Sequence, residues 1–173
     1  MEYPEGHKQI VKELLDGKFI LAQSNPLYEK IKSNQEFYKY FFKESFDYDL
    51  LQRNSYFFLT SDESNEKLSR DITIFIGIMA YEIDNEGKNF QEQIKFSVFE
   101  YEQADMMMRN SVYWNVLESI EFDDIRQFLR RLARINIIEE LENEKFRFTE
   151  AVELFFDFAL TIVKNTEAQK AGS

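Results

Sequence analysis

Asp123-Asp-Ile-Arg-Gln-Phe-Leu-Arg-Arg-Leu-Ala-Arg-Ile135 holds four of the eight arginines in the chain, within nine residues. Ile125, Phe128, Leu129, Leu132 and Ile135 recur at helical spacing and predict one buried stripe. Arg126, Arg130 and Arg134, in steps of four, form a second stripe that points elsewhere, and Arg131 adds to the charge. Two β-prone runs follow, Asn136-Ile-Ile-Glu139 and Lys145-Phe-Arg-Phe148, on either side of an acidic turn. A helix that leads into a hairpin is the outline of a winged helix, here with a basic exposed face. Such a surface meets DNA or another protein chain; it does not form a catalytic pocket.

The rest of the chain is acidic. Over 173 residues the formal net charge is −11, so bulk electrostatics repel nucleic acid and any DNA contact must be local. The length fits one domain or two small ones. Phenylalanine dominates a 16% aromatic share, ample for a core, while five glycines and two prolines argue for a mainly helical design. Cysteine is absent, which excludes disulfide and thiolate chemistry and fits a reducing cytosol. The polar start, Met1-Glu-Tyr-Pro-Glu-Gly-His-Lys8, is unlike a signal peptide, and the apolar run from Ile72 to Ile83 is too short to cross a bilayer. A soluble protein without membrane contact is expected.

Outward from the arginine helix, the elements fall into two similar series. His7 to Leu15 reads as an amphipathic helix that Gly17 stops, and Phe19-Ile-Leu21 as a short strand. Asn25-Pro26 starts the next of two helices reaching Lys43, with Leu27, Ile31, Phe37, Tyr40 and Phe41 expected inside. Phe46 to Leu51 and Ser55 to Leu59 flank Gln52-Arg-Asn54 as a hairpin. Ser61 to Asn65 looks like a linker, and Leu68 to Ile83 a central buried helix. Gly87 to Gln93 reads as a polar loop and Phe96 to Met108 as partly helical, with Met106-Met-Met108 filling core. Phe122-Asp123 opens the arginine helix. Behind its hairpin, Thr149-Glu150 caps a last helix from Ala151 to about Val163, with Leu154, Phe155, Phe158 and Ile162 facing in. The fold class expected is mainly α with small β-hairpins, as tandem winged-helix domains. The units are 1–62 and 63–165, with a tail at 166–173.

This pattern resembles the MukE/MksE family of bacterial condensin accessory subunits. The resemblance runs from Leu15-Asp-Gly-Lys-Phe-Ile20 through Ser55-Tyr-Phe-Phe-Leu59 and the apolar helix after Leu68. Its most specific stretch is Leu129-Arg-Arg-Leu132 followed by Lys145-Phe-Arg-Phe-Thr-Glu150. Two departures stand out. Asn136 takes a turn position where the family usually has glycine, and asparagine also tolerates the left-handed conformation. The long acidic tail of larger members is missing, as in the shorter MksE type. The resemblance implies a tandem pair of winged helices in an SMC–kleisin complex. It implies a homodimer that clasps the kleisin (MksF/MukF-like) and helps hold DNA, weakly and without sequence preference, against the SMC ATPase. Its place is cytoplasmic and nucleoid-associated, its role chromosome organisation and segregation or plasmid restriction, and ATP hydrolysis belongs to the SMC partner. The residues assigned to DNA are Arg126, Arg130, Arg131, Arg134, Lys145 and Arg147.

Plainer readings stand beside each of these. The arginine stripe contacts phosphates, or it is a solvated face balanced by Asp123, Asp124 and the acids Glu139, Glu140, Glu142 and Glu144. The acidic remainder docks the kleisin or serves solubility. Tyr56 and Phe58 pack in the core or form a dimer face, and Trp114 and Tyr113 fill core or anchor a partner. A sole histidine, His7, rules out a two-histidine metal motif, and neither a nucleophile elbow nor a glycine-rich phosphate loop is present. No cofactor and no enzymatic activity are expected. The alternative function is that of a free-standing winged-helix transcription regulator.

Overall fold

The computed structural model describes residues 3–61, 66–119 and 124–157. Helix α1 (His7–Leu15) turns Ile10 and Leu14 inward. Gly17, at φ 78°, ends it by donating its N–H to the Leu14 carbonyl at 3.0 Å. Strand β1 (Ile20–Leu21) follows. The Asn25 side chain then accepts from the Leu27 N–H at 2.9 Å, which starts α2 (Leu27–Ser33) as the Asn-Pro pair predicts.

Helix α3 (Gln35–Phe46) buries a different face from the one expected. Tyr38 and Phe42 are fully enclosed, Phe37 and Phe41 are half-buried, and Tyr40 is 69% exposed. Asn34, at φ −127°, separates the two helices and resets the phase, so residues one turn apart at 38 and 42 point inward. Phe46 belongs to α3 and not to the hairpin, because Asp47 closes the helix in the left-handed conformation at φ 55°. The hairpin is β2 (Asp49–Arg53) and β3 (Tyr56–Thr60), turning at Asn54-Ser55 with Asn54 at φ 43°. These strands form an antiparallel sheet in the order β1-β3-β2.

Helix α4 (Glu66–Asn85) is the long central element. It buries Ile72, Phe75, Ile76, Ile78, Met79 and Ile83, which at 100° per residue lie within about half of its circumference, so the helix has one buried side rather than being enclosed all round. Instead of a polar loop at 87–93, α5 (Phe90–Phe96) begins where Asn89 accepts from the Glu92 N–H at 3.0 Å. Next come β4 (Phe99–Glu100), α6 (Tyr101–Asn110) and α7 (Trp114–Ser119). Of the methionine triplet only Met108 is fully buried; Met106 is 53% exposed, since three consecutive helical residues cannot share one face.

The arginine helix is α8 (Ile125–Arg134), capped by Asp124, which accepts from the Arg126 N–H at 2.8 Å. Its hairpin is β5 (Ile138–Leu141) and β6 (Lys145–Phe148), and the second sheet has the order β4-β6-β5. Strand β5 begins two residues later than expected, because Asn136 at φ 65° must first reverse the chain. Thr149 accepts from the Ala151 N–H at 3.3 Å and opens a 3-10 turn, Glu150–Val152, that continues as helix to residue 157. Phe122, Asp123, Phe158, Ile162 and residues 62–65 of the expected linker lie outside the described residues.

A helical start, a strand, further helices and a hairpin thus follow one another twice, the second time with one more helix on each side of the strand. Ile10, Leu14, Ile31, Tyr38, Phe42 and Phe57 belong to one core cluster, which α1 to α3 cover. A larger cluster gathers α4 to α8 and the second sheet, and it also takes in Phe19, Leu21, Tyr56 and Phe58. Strand β3 is therefore buried on both faces, Phe57 towards one cluster and its neighbours Tyr56 and Phe58 towards the other.

Candidate nucleic-acid interface

Three features of the sequence place the arginines of α8 outside the core. The Asp124 cap fixes where the helix begins, four apolar residues bury one side, and Asn136 ends it. At 100° per residue the buried side (Ile125, Phe128, Leu129, Leu132) leaves Arg130 and Arg134 facing outward, with Arg126 and Arg131 on opposite flanks. All four arginines are exposed.

Their electrostatic surroundings differ. Arg126 is held by Glu144, at the turn of the β5–β6 hairpin, through an ion pair that raises its pKa by hydrogen bonding and charge. Arg130, Arg131 and Arg134 make no ion pair among the described residues. Their guanidinium groups, each with five donors in a planar fork, are open to solvent.

The hairpin itself is acidic, and both of its basic residues are engaged by carboxylates. Arg147 donates to Glu139 at 2.7 Å, directly across the β5–β6 ladder, where the two residues are register partners. Lys145 lies 3.4 Å from Glu100 on the neighbouring strand β4. Thus three of the six residues assigned to DNA from sequence already have carboxylate partners. Arg147 also faces a different place: it lines an open groove of about 910 Å³ with Gln23, Asn54, Lys95, Phe96 and Glu150, which none of the α8 arginines lines.

Tyr101, at the start of α6, ties hairpin and helix together. Its hydroxyl donates to Glu140, and its backbone N–H donates to the Glu144 carbonyl at 2.9 Å. Burial and the Glu140 carboxylate push its pKa up, whereas the charge of nearby Arg130 pulls it down. Tyr101 therefore stays a neutral donor, and it holds the Glu144 backbone beside α8. Sequence reading placed these acids on the hairpin but missed Tyr101 and the Arg126–Glu144 contact, which spans 18 positions. Only the hairpin register, set by positive φ at Asn143 and Glu144, brings that contact about.

Other sequence candidates take packing positions. His7 stacks on Tyr3 at 4.4 Å between centroids and meets Phe41 edge-on at 4.9 Å, and burial lowers its pKa. Trp114 packs against the larger core cluster under Arg109, whose guanidinium lies 5.4 Å from the ring. Tyr113 meets Tyr81 edge-on at 5.0 Å and remains partly exposed. Among the described residues no helix is long and apolar enough to cross a membrane.

The site is an outward row of arginines, three of them without ion pairs among the described residues, beside an acidic hairpin. It can hold a polyanion by charge and by forked hydrogen bonds, which demand no particular base sequence. No curated protein matches the chain. The family model of condensin complex protein MksE does match, over residues 5–160, and the chain belongs to that family.

Proposed function

We propose that this chain, an accessory subunit of a condensin-like complex by family, works without catalysis of its own, as a homodimer that binds the kleisin and holds duplex DNA against the SMC ATPase. It belongs to the cytoplasm and associates with the nucleoid, in chromosome organisation and segregation or in plasmid restriction. The units are 1–62 and 63–165, each a winged helix, with 166–173 as a tail. The twice-used order of helical start, strand, helices and hairpin supports that reading.

The observation that carries the DNA contact is the row Arg130, Arg131 and Arg134, exposed and without ion pairs among the described residues. In a chain of net charge −11 such a row is the natural seat for phosphate. Binding is weak, because the row is short and the remaining surface repels DNA, and it falls steeply with salt. It carries no sequence preference, because the groups offered suit phosphate oxygens.

The test is a fluorescence titration on random and genomic duplexes at two salt concentrations. Changing Arg126, Arg130 and Arg134 to Glu is expected to weaken DNA retention by roughly tenfold or more at low salt, with kleisin binding intact. Lys39→Glu/Lys43→Glu on the equivalent helix α3 is expected to change it little. Equal loss of DNA and kleisin binding in the folded arginine variant would make the row a protein interface. Tight binding of the isolated chain to one operator would make the protein a transcription regulator.

A further inference from the structure

The hairpin beside α8 bears Glu139, Glu140, Glu142 and Glu144 where a DNA-gripping wing would bear lysine or arginine. Its two basic residues, Lys145 and Arg147, are engaged by Glu100 and Glu139. Its turn reaches back to α8 and occupies Arg126. Asn143 and Glu144 both hold positive φ, at 60° and 54°, and the Tyr101 N–H donates to the Glu144 carbonyl. The carboxylate is therefore presented from a fixed backbone position and not from a loose loop.

We propose that Glu144 is an intramolecular competitor for phosphate: it occupies Arg126, confines the DNA contact to Arg130, Arg131 and Arg134, and holds affinity below what the full arginine set would give. The proposal rests on the DNA-contact reading above and adds a specificity-determining residue to it. A phosphate that approaches Arg126 must displace the Glu144 carboxylate and also meets the charge of Asp124 and Asp105. The arrangement suits a subunit whose DNA contact must be released and remade, since each contact given up lowers the salt-dependent part of the affinity. The pair is exposed on both sides, so the brake is modest.

The test uses the full-length chain and a labelled random-sequence duplex at several salt concentrations. Glu144→Gln keeps the shape, the backbone and the Tyr101 contact while it removes the charge. It is expected to tighten binding by about two- to five-fold at low salt and to steepen the logarithmic salt dependence by about one phosphate contact. Adding Arg126→Gln should abolish both changes. Glu142→Gln, which removes the same formal charge two residues away, should give the smaller gain, without the change in slope. Unchanged affinity and slope in Glu144→Gln, or a gain that survives Arg126→Gln, overturns the proposal. If Arg130→Glu/Arg134→Glu still lowers binding in that case, the DNA-contact reading stands and only the competitor role falls. If it does not, the DNA contact itself is wrong.

Discussion

Helix α3 with the hairpin β2–β3, and helix α8 with the hairpin β5–β6, use one element order for two purposes. Strand β3 reads Tyr56-Phe-Phe-Leu59, an unbroken apolar run, and both of its faces are buried. Strand β6 reads Lys145-Phe-Arg-Phe148, a strict alternation, with Phe146 and Phe148 in the core and Arg147 exposed. A strand between two packed layers needs apolar residues at every position, whereas one at a surface needs them at every second. The helices differ in the same sense. The charges on α3 are spent locally, Lys39 on Glu36 and Lys43 on Asp47 and Asp49, while α8 keeps three arginines free of ion pairs among the described residues. The first hairpin joins the two cores. The second faces outward.

That contrast can be broken most decisively at β3. Phe57→Ala and Phe58→Ala remove side chains from opposite faces, and each is expected to cost about 3–5 kcal/mol in urea unfolding. Were Phe58→Ala nearly neutral while Phe57→Ala was severe, β3 would have one buried face and the halves would be less closely joined than described. A second variant tests the join itself. The Asn136 side chain donates to the Phe19 carbonyl at 2.8 Å, and the Phe19 N–H donates to the Ile135 carbonyl at 3.0 Å. Asn136→Ala loses the first bond and places a less tolerant residue at positive φ, so about 2 kcal/mol of stability should go; Asn136→Gly, which keeps the turn, should recover part of it.

The smallest expected effect sharpens the difference between the helices. Asp124→Ala removes the side-chain cap of α8 and is expected to cost about 1 kcal/mol by chemical denaturation. Helix α3 has no such cap bond at Asn34, whose amide instead donates to the Lys30 carbonyl. A loss at Asp124 well below that figure would mean that packing alone sets the start of the arginine helix.

Much of this was legible in the residues. The periods of α1 and α8, the Asn25 cap, the left-handed Asn136 and the alternation of β6 are local signals, and each holds in the structure. The errors came where a phase or a boundary depends on more distant packing. The inward face of α3 turned on the break at Asn34, and Phe46 went to the helix because Asp47 closes it. Helix α5 is hidden in the sequence although Asn89 and Glu92 have capping spacing, since so polar a stretch shows little periodicity. At the candidate site, the row of arginines was evident from steps of four. Which of them are engaged was not.

Sequence by itself determined that this chain is mainly helical with small hairpins, that its positive charge is gathered on one helix, and, through the order of its motifs, which family it belongs to. These are properties of spacing along the chain, and spacing survives without coordinates. Tertiary structure alone decided that Glu144 reaches Arg126, that Glu139 and Glu100 take up Arg147 and Lys145, and that β3 lies between two cores. Ion pairs and two-sided burial depend on separations of a few ångströms between residues distant in the chain, and only the folded backbone sets those separations.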